Sequence, residues 1–137
     1  MPMRKELEQK LVERWPSWFN IKGDFRHTSM PLGFRHGDGW FSLLWRLCED
    51  LEPLVAEYEK AAGNRFEVVQ VKEKFGGLRF YAHGADGVIR TNDAIRQRIQ
   101  KAAQESFRTC ELCGKPGQLF ESPWLGVRCD ECAAESK

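Results

Sequence analysis

The chain has 137 residues, 21 Lys and Arg against 20 Asp and Glu, a formal net charge of +1 and a mean hydropathy of −0.54. That length holds one domain, or one domain plus a small module, and the balanced charge excludes a bulk polycation that coats nucleic acid. No stretch approaches the roughly eighteen apolar residues of a membrane span, and no apolar targeting segment follows the start Met1-Pro2-Met3-Arg4-Lys5, so the expected location is the cytoplasm.

Residues 3–15 read as an amphipathic helix, with Leu7, Leu11, Val12 and Trp15 at helical spacing and Pro16 as its stop. Trp18, Phe19 and Ile21 are expected to pack on the core. From Asn20 to Gly39 no period is visible, and a loop of that length in a compact domain is usually functional or disordered. It carries Lys22, Asp24, Arg26, His27, Arg35, His36 and Asp38. Neither H-x-x-x-H nor H-E-x-x-H is present to force two ligands onto one face. The bland reading is a solvated loop; the functional reading makes Arg26, His27, Arg35 and His36 partner-binding residues.

Residues 40–62 form the longest helical pattern, a broad stripe from Trp40 through Leu43, Leu44, Leu47, Leu51 and Val55. Asp38 is the expected N-cap and Gly63 the C-cap, and Pro53 is expected to kink or split the helix. Cys48 lies on the apolar side with Leu44 and Leu51 and reads as core. The outer side carries Glu49, Asp50, Glu52, Glu57 and Glu59. Residues 65–83 then switch to strand chemistry around Gly76-Gly77, which reads as a two-residue hairpin turn. That turn sets Phe75 opposite Leu78, Lys74 opposite Arg79, Glu73 opposite Phe80 and Lys72 opposite Tyr81. Val71, Glu73, Phe75, Leu78, Phe80 and Ala82 share one face; Lys72, Lys74, Arg79, Tyr81 and His83 share the other. Glu73 on the apolar face needs a partner, with Arg96 or Arg98 expected. Lys72, Lys74, Arg79 and Tyr81 read as a docking patch for an acidic surface or a phosphate backbone. Val88-Ile89-Arg90 is a third short strand, and a helix follows from about Asn92 to Phe107.

The last stretch carries the strongest motif. Cys110-Glu111-Leu112-Cys113 and Cys129-Asp130-Glu131-Cys132 are two C-x-x-C pairs separated by fifteen residues, the spacing of a four-thiolate zinc site. Gly114 suits the sharp backbone after the first pair. Between the pairs a hairpin is expected, Gln118–Glu121 out and Trp124–Arg128 back, turning at Ser122-Pro123. Four protein ligands close the shell, which favours one structural Zn²⁺. Two disulfides would need an oxidising compartment, and a redox C-x-x-C would expect a βαβ context. Four thiolates around one Zn²⁺ add about −2, so the metal-loaded chain is near −1. The expected fold is α+β, with helices packed on a small antiparallel sheet. Residues 1–108 form the body and 109–137 a zinc ribbon docked on it.

Gly37-Asp38-Gly39-Trp40 before a leucine-rich helix, the string from Val71-Lys72-Glu73-Lys74-Phe75 through Gly76-Gly77-Leu78-Arg79-Phe80-Tyr81, Ser106, and the two cysteine pairs together resemble a family of small, mostly uncharacterised proteins of bacteriophages, prophages and bacteria. The likeness covers roughly residues 30–132. It implies a bacterial host cell as setting and no activity. Three functions follow. The first is a non-enzymatic protein that docks on a host protein, in its most concrete form an inhibitor of a bacterial defence system. The second is nucleic-acid binding, favoured by a net +4 over residues 65–108 and opposed by a ribbon with three basic and five acidic residues. The third is a metal-dependent nuclease built on Asp24, His27, His36, Asp38 and His83, for which no spacing brings carboxylates together.

Overall fold

The computed structural model describes residues 2–20, 30–84 and 93–135. In chain order the elements are α1 (Lys5–Arg14), β1 (Phe34–Arg35), α2 (Phe41–Ala62), β2 (Phe66–Lys74), β3 (Gly77–Gly84), α3 (Asp93–Ser106), β4 (Gln118–Phe120), β5 (Gly126–Arg128) and α4 (Asp130–Glu135), with short 3-10 turns at Met30–Leu32 and Asp38–Trp40. The fold is α+β, as expected, but the main sheet is mixed. Its order is β1-β2-β3; β2 and β3 are antiparallel, while β1 runs parallel to β2 because α2 carries the chain back between them. The stretch read as an irregular loop supplies that strand. Two residues are too few for a period-2 signal, and β1 is held by tertiary partners, including the Glu8 carboxylate that accepts from the Phe34 N–H at 3.0 Å. The expected strand at Val88–Arg90, together with Lys22, Asp24, Arg26 and His27, lies outside the described residues.

The core answers where the aromatic side chains go. Four of the five tryptophans lie in two ring networks of one core: Trp15 stacks on Trp18 at 5.9 Å and meets Trp45 edge-on at 4.8 Å. Trp18 meets Phe66 at 5.2 Å, Phe19 meets Phe34 at 5.2 Å, and Trp40 joins through His36 at 5.5 Å. Such contacts add to burial because ring edges are positive and faces negative. Leu43, Leu44, Leu47, Cys48, Leu51 and Val55 of α2 are buried in the same core. Cys48 is core, as expected, and burial pushes its thiol well above the usual range.

α2 runs unbroken through Pro53 and ends on Gly63 at φ 64°. The proline's missing N–H and its clash are tolerated at an exposed position, so the helix is not split. Asp38 does not cap it. Its carboxylate instead accepts from the Arg4 backbone N–H at 2.8 Å and from Arg4 Nε at 2.7 Å, tying the start of α1 to the turn before α2. The acidic side of α2 is largely consumed within the fold. Glu52 accepts from Trp15 Nε1 at 2.8 Å and pairs with Arg14. Asp50 pairs with Arg98 at 2.8 Å, and Glu59 accepts from the Phe66 N–H at 2.9 Å.

The hairpin differs from its expected register. Lys74 pairs with Gly77, Glu73 with Leu78, Lys72 with Arg79 and Val71 with Phe80, so the turn residues are Phe75 and Gly76, at φ 55° and 88°. Both sit in the left-handed region, as a two-residue primed turn requires. The two-residue change of pairing keeps the strand residues on their expected faces but moves Phe75, expected on the apolar face, into the turn, where it is exposed; an irregularity between Val68 and Gln70 shifts the pairing by one more residue farther along. Tertiary packing decides the register. The Leu78 N–H donates to Ser106 Oγ at 2.9 Å, and Gly77 lies so close to the Phe107 ring that a Cβ there would come within 2.6 Å of Cε2. Glu73 does not reach Arg96 or Arg98, which pair with Asp93 and Asp50; it turns back and accepts from the Gly76 N–H at 2.6 Å. Ser106→Ala leaves the buried Leu78 N–H without its acceptor, so an unfolding free energy lower by about 1–3 kcal/mol is expected from denaturant titration.

Candidate metal centre and basic sheet face

The ribbon forms because two short knuckles flank a hairpin. β4 and β5 pair Gln118 with Arg128, Leu119 with Val127 and Phe120 with Gly126, as expected, and the Ser122-Pro123 peptide between them is cis. In the first knuckle the Gly114 N–H donates to Cys110 O at 2.9 Å and the Cys110 N–H to Lys115 O at 2.8 Å. Gly114 takes φ 83° there. In the second, Cys129 leads directly into α4, whose first turn aims the Cys132 N–H at Cys129 Sγ at 3.4 Å. That helix was absent from the sequence reading, since six residues are too few for a periodic signal.

These turns bring the sulfurs of Cys110, Cys113, Cys129 and Cys132 within 4.8 Å of one another, with Cys113 and Cys129 at 3.5 Å. A metal with bonds of about 2.3 Å to four tetrahedral sulfurs requires edges of about 3.8 Å, so the cluster matches the size of a metal shell. Its electrostatics agree. Burial acts to raise the Cys110 thiol, but backbone groups at Cys129, Cys113 and Leu112 outweigh it and bring the group to about 7. Cys132 is pushed up, first by burial and then by its three sulfur neighbours. Four thiolates this close cannot all ionise without a cation among them. The site can therefore hold one metal ion with all four protein ligands engaged. Among the described residues, no other group of His, Cys, Asp or Glu gathers in this way.

The centre is fastened to the body by its own knuckle. Between the first two cysteines, Glu111 O accepts from the Gly39 N–H at 2.7 Å and Glu111 Oε2 from the Gly37 N–H at 2.8 Å. Thr109 O accepts from Trp40 Nε1 at 3.0 Å. A Cβ on Gly39 would sit 2.6 Å from both Glu111 C and Gly114 N, so only glycine admits this approach. Burial raises the Glu111 carboxyl, opposed by the Gly37 N–H and reinforced by Glu73 nearby. On the far side of the ribbon Arg128 is buried. Its guanidinium donates to Ser122 O and Trp124 O, both at 3.1 Å, and lies over the Phe120 and Trp124 rings, holding the turn between β4 and β5. No local pattern signals this use, because it depends on two ring faces brought from elsewhere in the hairpin.

The remaining candidates divide. Arg35, Lys74, Arg79 and Tyr81 are exposed and Lys72 is half-buried. The register aligns Arg35 with Lys72 and Lys72 with Arg79, so three cations stand side by side across all three strands. The adjacent row, Phe34, Val71 and Phe80, is buried in the core, which puts the cations on the outer face. Lys74 shares that face and lies over the Phe75 ring at 5.6 Å. No carboxylate pairs with any of the four cations among the described residues. His36 does not belong to this surface. It is buried between Phe34 and Trp40, its Nδ1 bonds Gly37 O at 2.8 Å, and burial pulls its imidazole down to about 4. It is a neutral core group, not a contact residue. Of the nuclease constellation, Asp24 and His27 lie outside the described residues; among the described members Asp38 is held by Arg4, His83 stands on the hairpin opposite Glu67, and no metal-sized group forms.

Two outcomes test this geometry. Elemental analysis is expected to give one metal ion per chain, retained in Cys48→Ser and lost in Cys129→Ala. Gly39→Ala is expected to destabilise the fold by about 1–3 kcal/mol through overpacking, seen as a lower melting temperature and faster removal of the metal by a chelator. No family model, curated protein or solved structure matches the chain.

Proposed function

We propose that this chain is a non-enzymatic docking protein stabilised by one structural Zn²⁺ at Cys110, Cys113, Cys129 and Cys132. Its outer sheet face receives an acidic surface of another protein. The cation row of Arg35, Lys72 and Arg79, extended by Lys74, carries this reading. Like charges directly opposite each other in a sheet are destabilising, and no carboxylate among the described residues pairs with any of these cations. A row kept unpaired against that penalty suits a partner that brings its own negative charge. Zinc is the metal of closed all-thiolate tetrahedra with no redox role; an iron–thiolate absorption band in the purified protein would overturn that assignment. The likeness of its motifs to small phage, prophage and bacterial proteins supplies the setting. The partner is then a host protein, and inhibition of a bacterial defence system is the most concrete form of the activity.

A nucleic-acid strand is the second reading, because Tyr81, exposed beside the row, offers a ring on which a base can stack. Lys72→Glu with Arg79→Glu tests the face. Folding is expected to survive, since the two cations repel already. Binding to a protein partner captured from a bacterial host lysate and identified by mass spectrometry should fall at least tenfold at low salt, with the difference shrinking as salt rises. Unchanged affinity would remove the sheet face from the interface. Tight binding of single-stranded oligonucleotides, with a steep salt slope, would favour the second reading.

A further inference from the structure

The tip of the β2–β3 hairpin holds a feature the cation row does not explain. Phe75 is 67% exposed and occupies φ 55°, a conformation in which a bulky side chain is an outlier and asparagine or glycine is the ordinary occupant. The large ring in this strained turn faces solvent, with the Lys74 ammonium 5.6 Å from its centroid. Backbone strain of this kind concentrates where a residue is kept for contact. The Gly76 beside Phe75 lies against the ribbon and the end of α3, where an added Cβ would come within 2.5 Å of Leu119 Cδ1 and 3.9 Å of Phe107 Cε1. Leu119 and Phe107 are 44% and 41% exposed. The backbone next to Phe75 thus meets exposed apolar side chains of the helix end and the ribbon.

We propose that Phe75 is the anchor of the docking surface, and that the partner is an acidic, apolar segment of a protein. This deepens the sheet-face reading and rests on it. The geometry sets the partner's chemistry. Phe75 is three residues along the strand from Lys72, or about 10 Å, and the row from Arg35 to Arg79 is also about 10 Å wide at the usual strand spacing. The segment therefore presents one or two apolar side chains to Phe75, Leu119 and Phe107, and carboxylates about 10 Å away to the cations. The ribbon at this end carries more acidic than basic residues and repels phosphates, which argues against a nucleic acid there.

The test is to pan a random peptide library on the zinc-loaded full chain. Enriched sequences are expected to combine clustered Asp or Glu with Leu, Ile, Phe or Trp. Phe75→Asn separates contact from folding, because asparagine fits the turn. Its melting temperature should be unchanged or higher while peptide affinity falls about tenfold or more, and that loss should persist at high salt. Leu119→Ser should weaken the same peptides at full metal content. Peptides that bind Phe75→Asn as tightly as the wild type overturn the anchor and leave the cation row standing. Peptides that ignore Lys72→Glu with Arg79→Glu overturn the sheet-face reading itself. Enrichment of basic sequences, no enrichment, or displacement of the peptides by single-stranded oligonucleotide overturns the proposed partner. A lower melting temperature in Phe75→Asn would show that the ring serves the fold.

Discussion

The structure depends on the seating of one cysteine knuckle on a glycine turn. Gly37 and Gly39 present backbone N–H groups to Glu111, and Trp40 presents its indole N–H to Thr109. Each of these donors lies in or beside the core, where an unmet donor costs about 1–3 kcal/mol. The ribbon therefore completes the body as much as the body supports the ribbon. A module of some thirty residues buries too little surface to fold alone. Here a metal-sized cluster of sulfurs shapes the knuckle, and the shaped knuckle supplies the acceptors that the turn before α2 requires.

The same junction explains why glycines punctuate the chain where they do. Gly39 meets the first knuckle, Gly76 meets Leu119 of the ribbon, and Gly77 meets Phe107 at the end of α3. The hairpin, the last helix and the ribbon converge on one end of the sheet, with Ser106 accepting the edge N–H of Leu78. The turn, the hairpin string, the serine and the cysteine pairs are distant in sequence but meet around this junction. Their shared constraint is close backbone approach, which tolerates no added Cβ.

Charge is distributed by the same tertiary logic. A net charge near zero conceals a polar division. Three carboxylates of α2 are drawn inward to hold α1, α3 and β2, and no carboxylate among the described residues pairs with the four cations on the outer side of the sheet. Four cations and the exposed Tyr81 ring share the outer side of the sheet, with Phe75 exposed at the hairpin tip. Apolar surface is treated likewise: four tryptophans are gathered into the core, and Trp124 stays on the ribbon over Arg128.

The sequence by itself determined the features that depend on near neighbours. The 3.6-residue stripes located α1, α2 and α3, the alternation around Phe66–Tyr81 located the hairpin and sorted its two faces, and the C-x-x-C spacing located the four cysteines that gather at one site. Each is a local periodicity or a local turn, readable without knowing what lies opposite. Tertiary structure decided whatever needed a distant partner. Asp38 looked like a helix cap and became the acceptor of Arg4, and Glu73 looked like a partner for α3 and closed its own turn. His36 looked like a surface ligand and was buried between two rings. The turn moved from Gly76-Gly77 to Phe75-Gly76 because Phe107 and Ser106, some thirty residues away in sequence, fixed Gly77 and Leu78 in the strand. A two-residue strand such as Phe34–Arg35 has no period of its own. It exists because α2 returns the chain alongside it, and that return aligned Arg35 with Lys72 and Arg79. Side-chain chemistry offers each polar group several partners, and only the packed fold chooses among them.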